Sequence, residues 1–171
     1  MSAARVTRLK HGLDVVRALP APVPRVFRAF SDAEELALWW GPPDFPVVRC
    51  TVDFRPGGVW HYQLRGVRTG EEFWARAVYG EITPPTGLTY SETSSDPSGA
   101  VTDARPAANV RVELTPAPDD GTTTELTIRI RHRSALDTDR AIRFGIESGL
   151  GRALDTLDGL LRHDPIRQET P

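Results

Sequence analysis

The sequence predicts an α+β fold in which a curved antiparallel sheet of about seven strands wraps around one long C-terminal helix. Three observations carry that expectation. From Val47 to His132, apolar residues recur with a period of two in segments separated by Pro- and Gly-rich turns, the pattern of strands with one buried face. Thr138–Arg162 then changes period: Ile142, Ile146, Leu150, Leu154, Leu157, Leu160 and Leu161 fall on one stripe of an amphipathic helix. Nothing upstream is helical on that scale, so the stripe and the apolar face of the sheet must cover each other.

Residues 1–12 read as a flexible leader, ahead of a single domain over 13–163 and a tail over 164–171. Leu13–Leu19 alternates as the first strand, with Val15, Arg17 and Leu19 on one face. Pro22 and Pro24 end it, because neither can donate to a ladder. Two short helices follow, Arg25–Phe30 and Ala33–Trp40. Ser31 or Asp32 can cap the second, and Glu34 and Glu35 suit its first turn. Gly41-Pro42-Pro43 stops it.

On the next strand Val48, Cys50, Val52 and Phe54 alternate. Arg55-Pro56-Gly57-Gly58 turns the chain, and Val59–Arg65 returns with Trp60, Tyr62 and Leu64 on one side. Glu71–Ile82 is a long strand whose broken alternation predicts a bulge and leaves the faces of Trp74 and Arg76 open. Leu88–Thr93 puts Leu88, Tyr90 and Glu92 together. Ser94–Ala107, rich in Ser, Asp and Pro, reads as a loop. Ala108–Thr115 and Thr122–His132 complete the sheet, with Leu126, Ile128, Ile130 and His132 on one face and Arg129 and Arg131 solvated on the other. The long helix has Asp137 and Asp139 near its start and Arg162 and His163 near its end, as the helix dipole favours; Pro165 stops it. At a rise of 1.5 Å per residue it would run about 37 Å. Gly145, Ser148, Gly149 and Gly151 cluster in its first half, at about 1 kcal/mol per glycine. That cost points to close approach of the helix backbone to a surface or a ligand.

The 171 residues carry a net charge of −2, which offers nucleic acid or membrane no global attraction. The N-terminus lacks an apolar signal core and no run is apolar enough to span a bilayer, so a cytoplasmic location is expected. Cys50 is the only cysteine and reads as a small buried strand residue. His11, His61, His132 and His163 form no ligand spacing, so no metal is expected, and no phosphate or dinucleotide fingerprint calls for a cofactor. The tryptophans do not interleave with a basic stripe, which argues against nucleic acid.

Several stretches carry a resemblance: APVPRVFRAFSDAEELALWWGP, DFRPGGVWHYQLRG, FWARAVYGEITPPTGLTYSETSSDPSG and GIESGLGRALDTLDGLL. Together with the element order, they make Leu13–Arg162 similar to the START-like (SRPBCC) superfamily, and more closely to the family grouped with the C-terminal domain of the activator of the heat-shock-protein-90 ATPase. The resemblance implies the helix-grip (START/Bet v-like) fold, with a cavity between sheet and C-terminal helix. Relatives commonly carry Trp where this chain has Leu150, and the smaller residue enlarges the expected cavity. The Asp103–Pro106 segment departs from the pattern of near relatives, so no role is carried over to it.

The inward face collects Arg17, Tyr62, Tyr90, Glu92 and His132, and buried charge demands either partners or a wet pocket. The candidate cavity residues are therefore Arg17, Trp60, Tyr62, Trp74, Arg76, Tyr90, Glu92, His132, Ile146, Leu150 and Leu154. The expected partner is a small hydrophobic molecule, aromatic or polyketide-like, and a homodimer is compatible with the resemblance. Two other readings stand beside ligand binding: a chaperone ATPase co-factor, implied by the family's name, and a cyclase- or hydrolase-type enzyme using Glu92, His132 or Arg76. The sequence assigns no catalytic residue.

Overall fold

The computed structural model describes residues 3–118 and 121–163; the expected tail and the Pro165 stop lie outside the described residues. In chain order the elements are β1 (Arg5–Leu9), β2 (Gly12–Leu19), α1 (Val23–Ser31), α2 (Ala33–Trp39), β3 (Val47–Val52), β4 (Val59–Arg65), β5 (Glu72–Thr83), β6 (Gly87–Ser95), β7 (Val101–Thr102), β8 (Ala108–Pro116), β9 (Thr124–His132), α3 (Ala135–Arg143) and α4 (Ile146–Arg162). The strands form one antiparallel sheet in the order β1-β2-β9-β8-β6-β5-β4-β3, with β7 paired to β6. The sheet is unclosed, and its concave face holds α4. No helix among the described residues is long and apolar enough to cross a membrane.

The nine strands among the described residues exceed the seven expected, for identifiable reasons. The leader is not loose: Arg5–Leu9 folds back on β2 in a hairpin, from Arg5↔Val16 to Leu9↔Gly12. Its side chains hid this, since only Val6 is even half-buried along β1 and the strand is held by backbone pairing. Gly12 is needed where the hairpin meets β9, because a Cβ there would lie 1.9 Å from the Ile130 carbonyl oxygen. The second addition is β7, two residues from the expected loop that pair with Ser94 and Ser95.

Alternation also breaks at β3. The register shifts between Val47 and Arg49, so Val47, Cys50 and Val52 face inward while Val48 turns out to solvent. The bulge expected on β5 lies between Tyr79 and Ile82. It leaves Ala75, Ala77 and Tyr79 on the core side and Trp74, Arg76 and Val78 on the outer face.

The single long helix becomes two. Ser134 caps α3 by accepting from the Asp137 N–H at 3.1 Å, and α3 ends at Phe144. Gly145 then takes φ +89°, a left-handed conformation open to glycine without a Cβ penalty. The chain restarts as α4, whose 17 residues span about 25 Å instead of 37. Gly145 thus makes a corner. A Cβ on Gly149 would touch only Pro42, at 3.9 Å, and one on Gly145 or Gly151 would meet nothing within 4 Å, so close backbone packing does not explain the small residues.

The core lies between α4 and the inner sheet. Leu154, Leu157 and Leu161 of α4 are fully buried, along with Leu13, Val15 and Leu19 of β2 and Leu126, Ile128 and Ile130 of β9. Asp32 caps α2 by accepting from the Glu34 N–H at 2.9 Å. Trp39 donates from Nε1 to the Ala29 carbonyl at 2.9 Å in the interior, which fixes α2 against α1.

Candidate functional site

Antiparallel register brings the site together. Trp60, Ala77, Glu92, Ala108 and His132 lie in one cross-strand row through β4, β5, β6, β8 and β9. The next row runs Tyr62, Ala75 and Ser94. Period-two geometry keeps both rows on the concave face. Ala108, small and set between Glu92 and His132, leaves room under α4, and the space there is a cavity of about 270 Å³. Tyr62, Tyr90, Glu92, Ser94, Ala108, Ile130 and His132 form its floor; Ala141, Phe144, Ile146, Gly149, Leu150 and Ala153 roof it; Trp40-Gly41-Pro42 and Arg105-Pro106 bound its sides. A volume of that order holds a small organic molecule.

The walls are largely aromatic. Trp60 packs against Trp40, Tyr62 and Tyr90, with ring centroids 4.9, 4.8 and 5.5 Å away. The polar groups are few. Tyr62 donates its hydroxyl to Glu92 Oε2 at 3.0 Å. Burial pushes the Glu92 carboxyl up to about 7 from an ordinary 4.5, against the opposing pulls of the Tyr62 hydrogen bond and the Arg105 charge. Burial likewise raises Tyr62 and Tyr90, helped by the charge on Glu92, so both remain phenols. His132 is held below its usual pKa by burial, partly offset by Asp137. Its Nδ1 lies 3.1 Å from Thr138 Oγ1, and Thr138 in turn donates to the Ser134 carbonyl. Donor and acceptor across the His132–Thr138 contact exchange with the imidazole tautomer, so Nε2 is an acceptor in one tautomer and a donor in the other.

Of the sequence-derived candidates, Tyr62, Tyr90, Glu92, His132, Ile146 and Leu150 line the cavity. The other five lie elsewhere. Trp60 stands behind the wall as a buttress, and Leu154 is buried in the core. Arg17 points inward but toward α4, where it pairs with Asp155 and, at 3.4 Å, with the buried Asp158. Asp158 also holds Arg162 at 2.5 Å, so this network is a helix anchor. Trp74 and Arg76 are on the outer face, where Trp74 stacks on His61 at 4.9 Å. Glu92 and His132 do not bond each other; Ala108 separates them on the intervening strand.

Sequence reasoning missed Trp40, Phe73, Arg105 and Phe144. Trp40 had a signal, since it follows a core tryptophan and precedes Gly-Pro. Arg105 had none: it sits in a loop, and only tertiary structure sets its guanidinium 4.1 Å over Phe73 and 5.1 Å from Phe144. Among the described residues no group of three or more His, Cys, Asp or Glu could hold a metal ion.

Against known proteins, residues 20–162 match the family model described as "Activator of Hsp90 ATPase homolog 1-like protein". No curated protein matches the chain. Solved structures do. A protein from Arthrobacter aurescens is 25% identical with a TM-score of 0.85, covering 94% of this chain and 92% of its own. A Mycobacterium smegmatis protein is 24% identical with a TM-score of 0.79, over 92% of this chain and 97% of that one. An AHSA1 protein from Silicibacter pomeroyi is 20% identical with a TM-score of 0.70, over 88% and 97%. The helix-grip architecture is common to them.

Proposed function

Because the chain belongs to the Activator of Hsp90 ATPase homolog 1-like family, within the START-like helix-grip fold, we propose that it binds a small hydrophobic molecule between α4 and the sheet. One observation carries this reading: an apolar cavity of about 270 Å³ into which a half-buried carboxyl, Glu92, projects with a single hydrogen-bond partner. A protein that only needed a core would fill that space and replace the carboxyl, since voids and buried polar groups both cost stability. Tyr62, Tyr90, Ile146 and Leu150 supply apolar and aromatic contact; Glu92 and His132 orient one polar end.

Native mass spectrometry of protein purified from its own cells tests this, followed by denaturation and identification of what is released. A retained organic molecule, lost on Leu150→Trp, supports the reading. Protein that is ligand-free as isolated and that also binds no member of an apolar fragment set overturns it.

A second reading has Glu92 behind it: a carboxyl near 7 can give and take a proton at neutral pH. In that case the bound molecule is also transformed. Incubating cell extract with wild type and with Glu92→Gln, and comparing masses, decides it. A product made only by wild type supports catalysis, and none from wild type retires it.

A further inference from the structure

The mouth of the cavity says more about the ligand than its walls do. Arg105 lies between two aromatic rings, 4.1 Å from the Phe73 centroid and 5.1 Å from that of Phe144. Stacking of this kind covers the faces of a guanidinium and leaves its N–H edge as the place where partners can bind. Yet among the described residues the guanidinium has no carboxylate and no hydrogen-bond acceptor; only its backbone N–H is used, donating to Ser94 Oγ at 2.9 Å. An arginine so positioned, lining a cavity, has its forked donors held ready. A second feature borders the same mouth: α4 begins at Gly145 without a side-chain cap, and the acidic residue of its first turn, Glu147, is paired with Arg8, so the positive end of the helix dipole adds weakly to the same field.

We propose that the cavity takes an apolar molecule ending in a carboxylate, with the anion docked edge-on against Arg105 and the apolar body running inward between Tyr62, Tyr90 and Leu150. This rests on the ligand-binding reading above and adds the chemical class. A planar carboxylate matches the guanidinium fork in a way that an alcohol or an amine does not. Among the described residues no carboxylate pairs with it; Glu92 acts on Arg105 only through its field and is hydrogen-bonded by Tyr62.

Glu92 makes the binding proton-linked. The titratable groups facing it are Tyr62 from β4, Tyr90 from its own strand, His132 from β9 and Arg105 from the loop, while the cavity residues of α3 and α4 carry no charge. The tyrosines are neutral phenols and His132 is kept neutral by burial, so among the described residues Arg105 is the cation that offsets a charged Glu92. A ligand carboxylate would take up that cation and repel an ionised Glu92, so the bound state favours protonated Glu92. Affinity should therefore fall as pH rises past 7.

The test uses three probes of one shape: 4-phenylbutyrate, 4-phenylbutan-1-ol and 4-phenylbutylamine, titrated calorimetrically into the full chain. The acid should bind about tenfold or more tighter than the alcohol, and the amine weakest of all. Between about pH 6 and about pH 8.5, where the probe acid itself stays ionised, the acid should weaken more than the alcohol. Arg105→Gln should bring the acid-to-alcohol ratio close to one, and Arg105→Lys should restore part of it; thermal unfolding checks that both variants fold. An alcohol or amine that binds as tightly as the acid, or a ratio untouched by Arg105→Gln, overturns the carboxylate assignment and leaves a hydrophobic-ligand cavity standing. If none of the three binds, the carboxylate assignment falls, and the native mass spectrometry with the apolar fragment set decides separately whether the cavity holds a ligand at all.

Discussion

A carboxyl facing an apolar cavity works against the fold whenever it is charged. Glu92 titrates near 7 in the folded chain because burial disfavours the anion. Below about 4.5 the folded and unfolded states both hold the proton and nothing is lost. As pH rises from there toward 7, the unfolded chain gives up a proton that the folded chain keeps, so stability falls; above 7 the full cost remains. The gap between 4.5 and about 7 corresponds to about 3 kcal/mol, which partial access to solvent reduces. Glu92→Gln should therefore be more stable than wild type by about 1–3 kcal/mol at about pH 8, and by much less at about pH 4.5, in denaturant titrations. A constant difference across that range would remove Glu92 from the account. Arg17 behaves in the opposite sense. Its side chain is 1% exposed and Asp158 is 2% exposed, so removing the cation takes away one of the two charges that hold this buried anion and leaves it to Arg162. Arg17→Met should cost about 3 kcal/mol, and Arg17→Met with Asp158→Leu should recover much of it. A double variant no more stable than the single one would mean that the pair packs poorly as hydrocarbon. The sequence reading placed Arg17 in the cavity, whereas it pairs with α4, since the inward side of a strand says nothing about which helix turn lies over it.

At the scale of elements, strands with clean alternation were legible and helix continuity was not. The β8 and β9 pattern placed Val110, Ile128, Ile130 and His132 on the inner face because a period of two has only two solutions. The stripe from Ile142 to Leu161 is consistent with one helix and equally with two helices joined at a corner, because a single left-handed glycine changes direction without changing composition. Leu150 is the residue of α4 on which a cavity argument can be tested most directly, being half-buried and part of the roof. Leu150→Trp should fill space now open, lower affinity for 4-phenylbutan-1-ol by about tenfold or more, and change stability by less than about 1 kcal/mol. Unchanged affinity, measured by the same calorimetry, would move the site elsewhere.

For the whole molecule, the sequence conveyed the architecture because the sheet and helix each had one apolar face and no other partner. It conveyed half of the site. Tyr62, Tyr90, Glu92 and His132 were readable as polar or aromatic residues on an inward face, whereas Arg105 and Phe144 come from a loop and a corner whose place depends on the finished fold. The hairpin of β1 on β2 was invisible for the same kind of reason: its contribution is made by backbone hydrogen bonds, and its side chains are mostly exposed. Deleting residues 1–10 should uncover the β2 edge and lower the melting temperature by about 5 °C or more, read by calorimetry. No change would make β1 an ornament of the sheet. The corner at Phe144–Gly145 has a further consequence, in time instead of space. The C-terminal part of α4 is bolted down by Leu154, Leu157, Leu161 and the Arg17–Asp158 pair, while α3 buries only the small side chains of Thr138 and Ala141 and Phe144 is 48% exposed. The two halves of the roof should therefore open at different rates. Amide hydrogen exchange should be fast from Phe144 to Ser148 and slow from Leu154 to Leu161, letting a guest pass beneath the corner without the sheet releasing its helix. Equal protection along both helices would make the roof one rigid piece, and exchange of the guest would then require the molecule to unfold far more of itself.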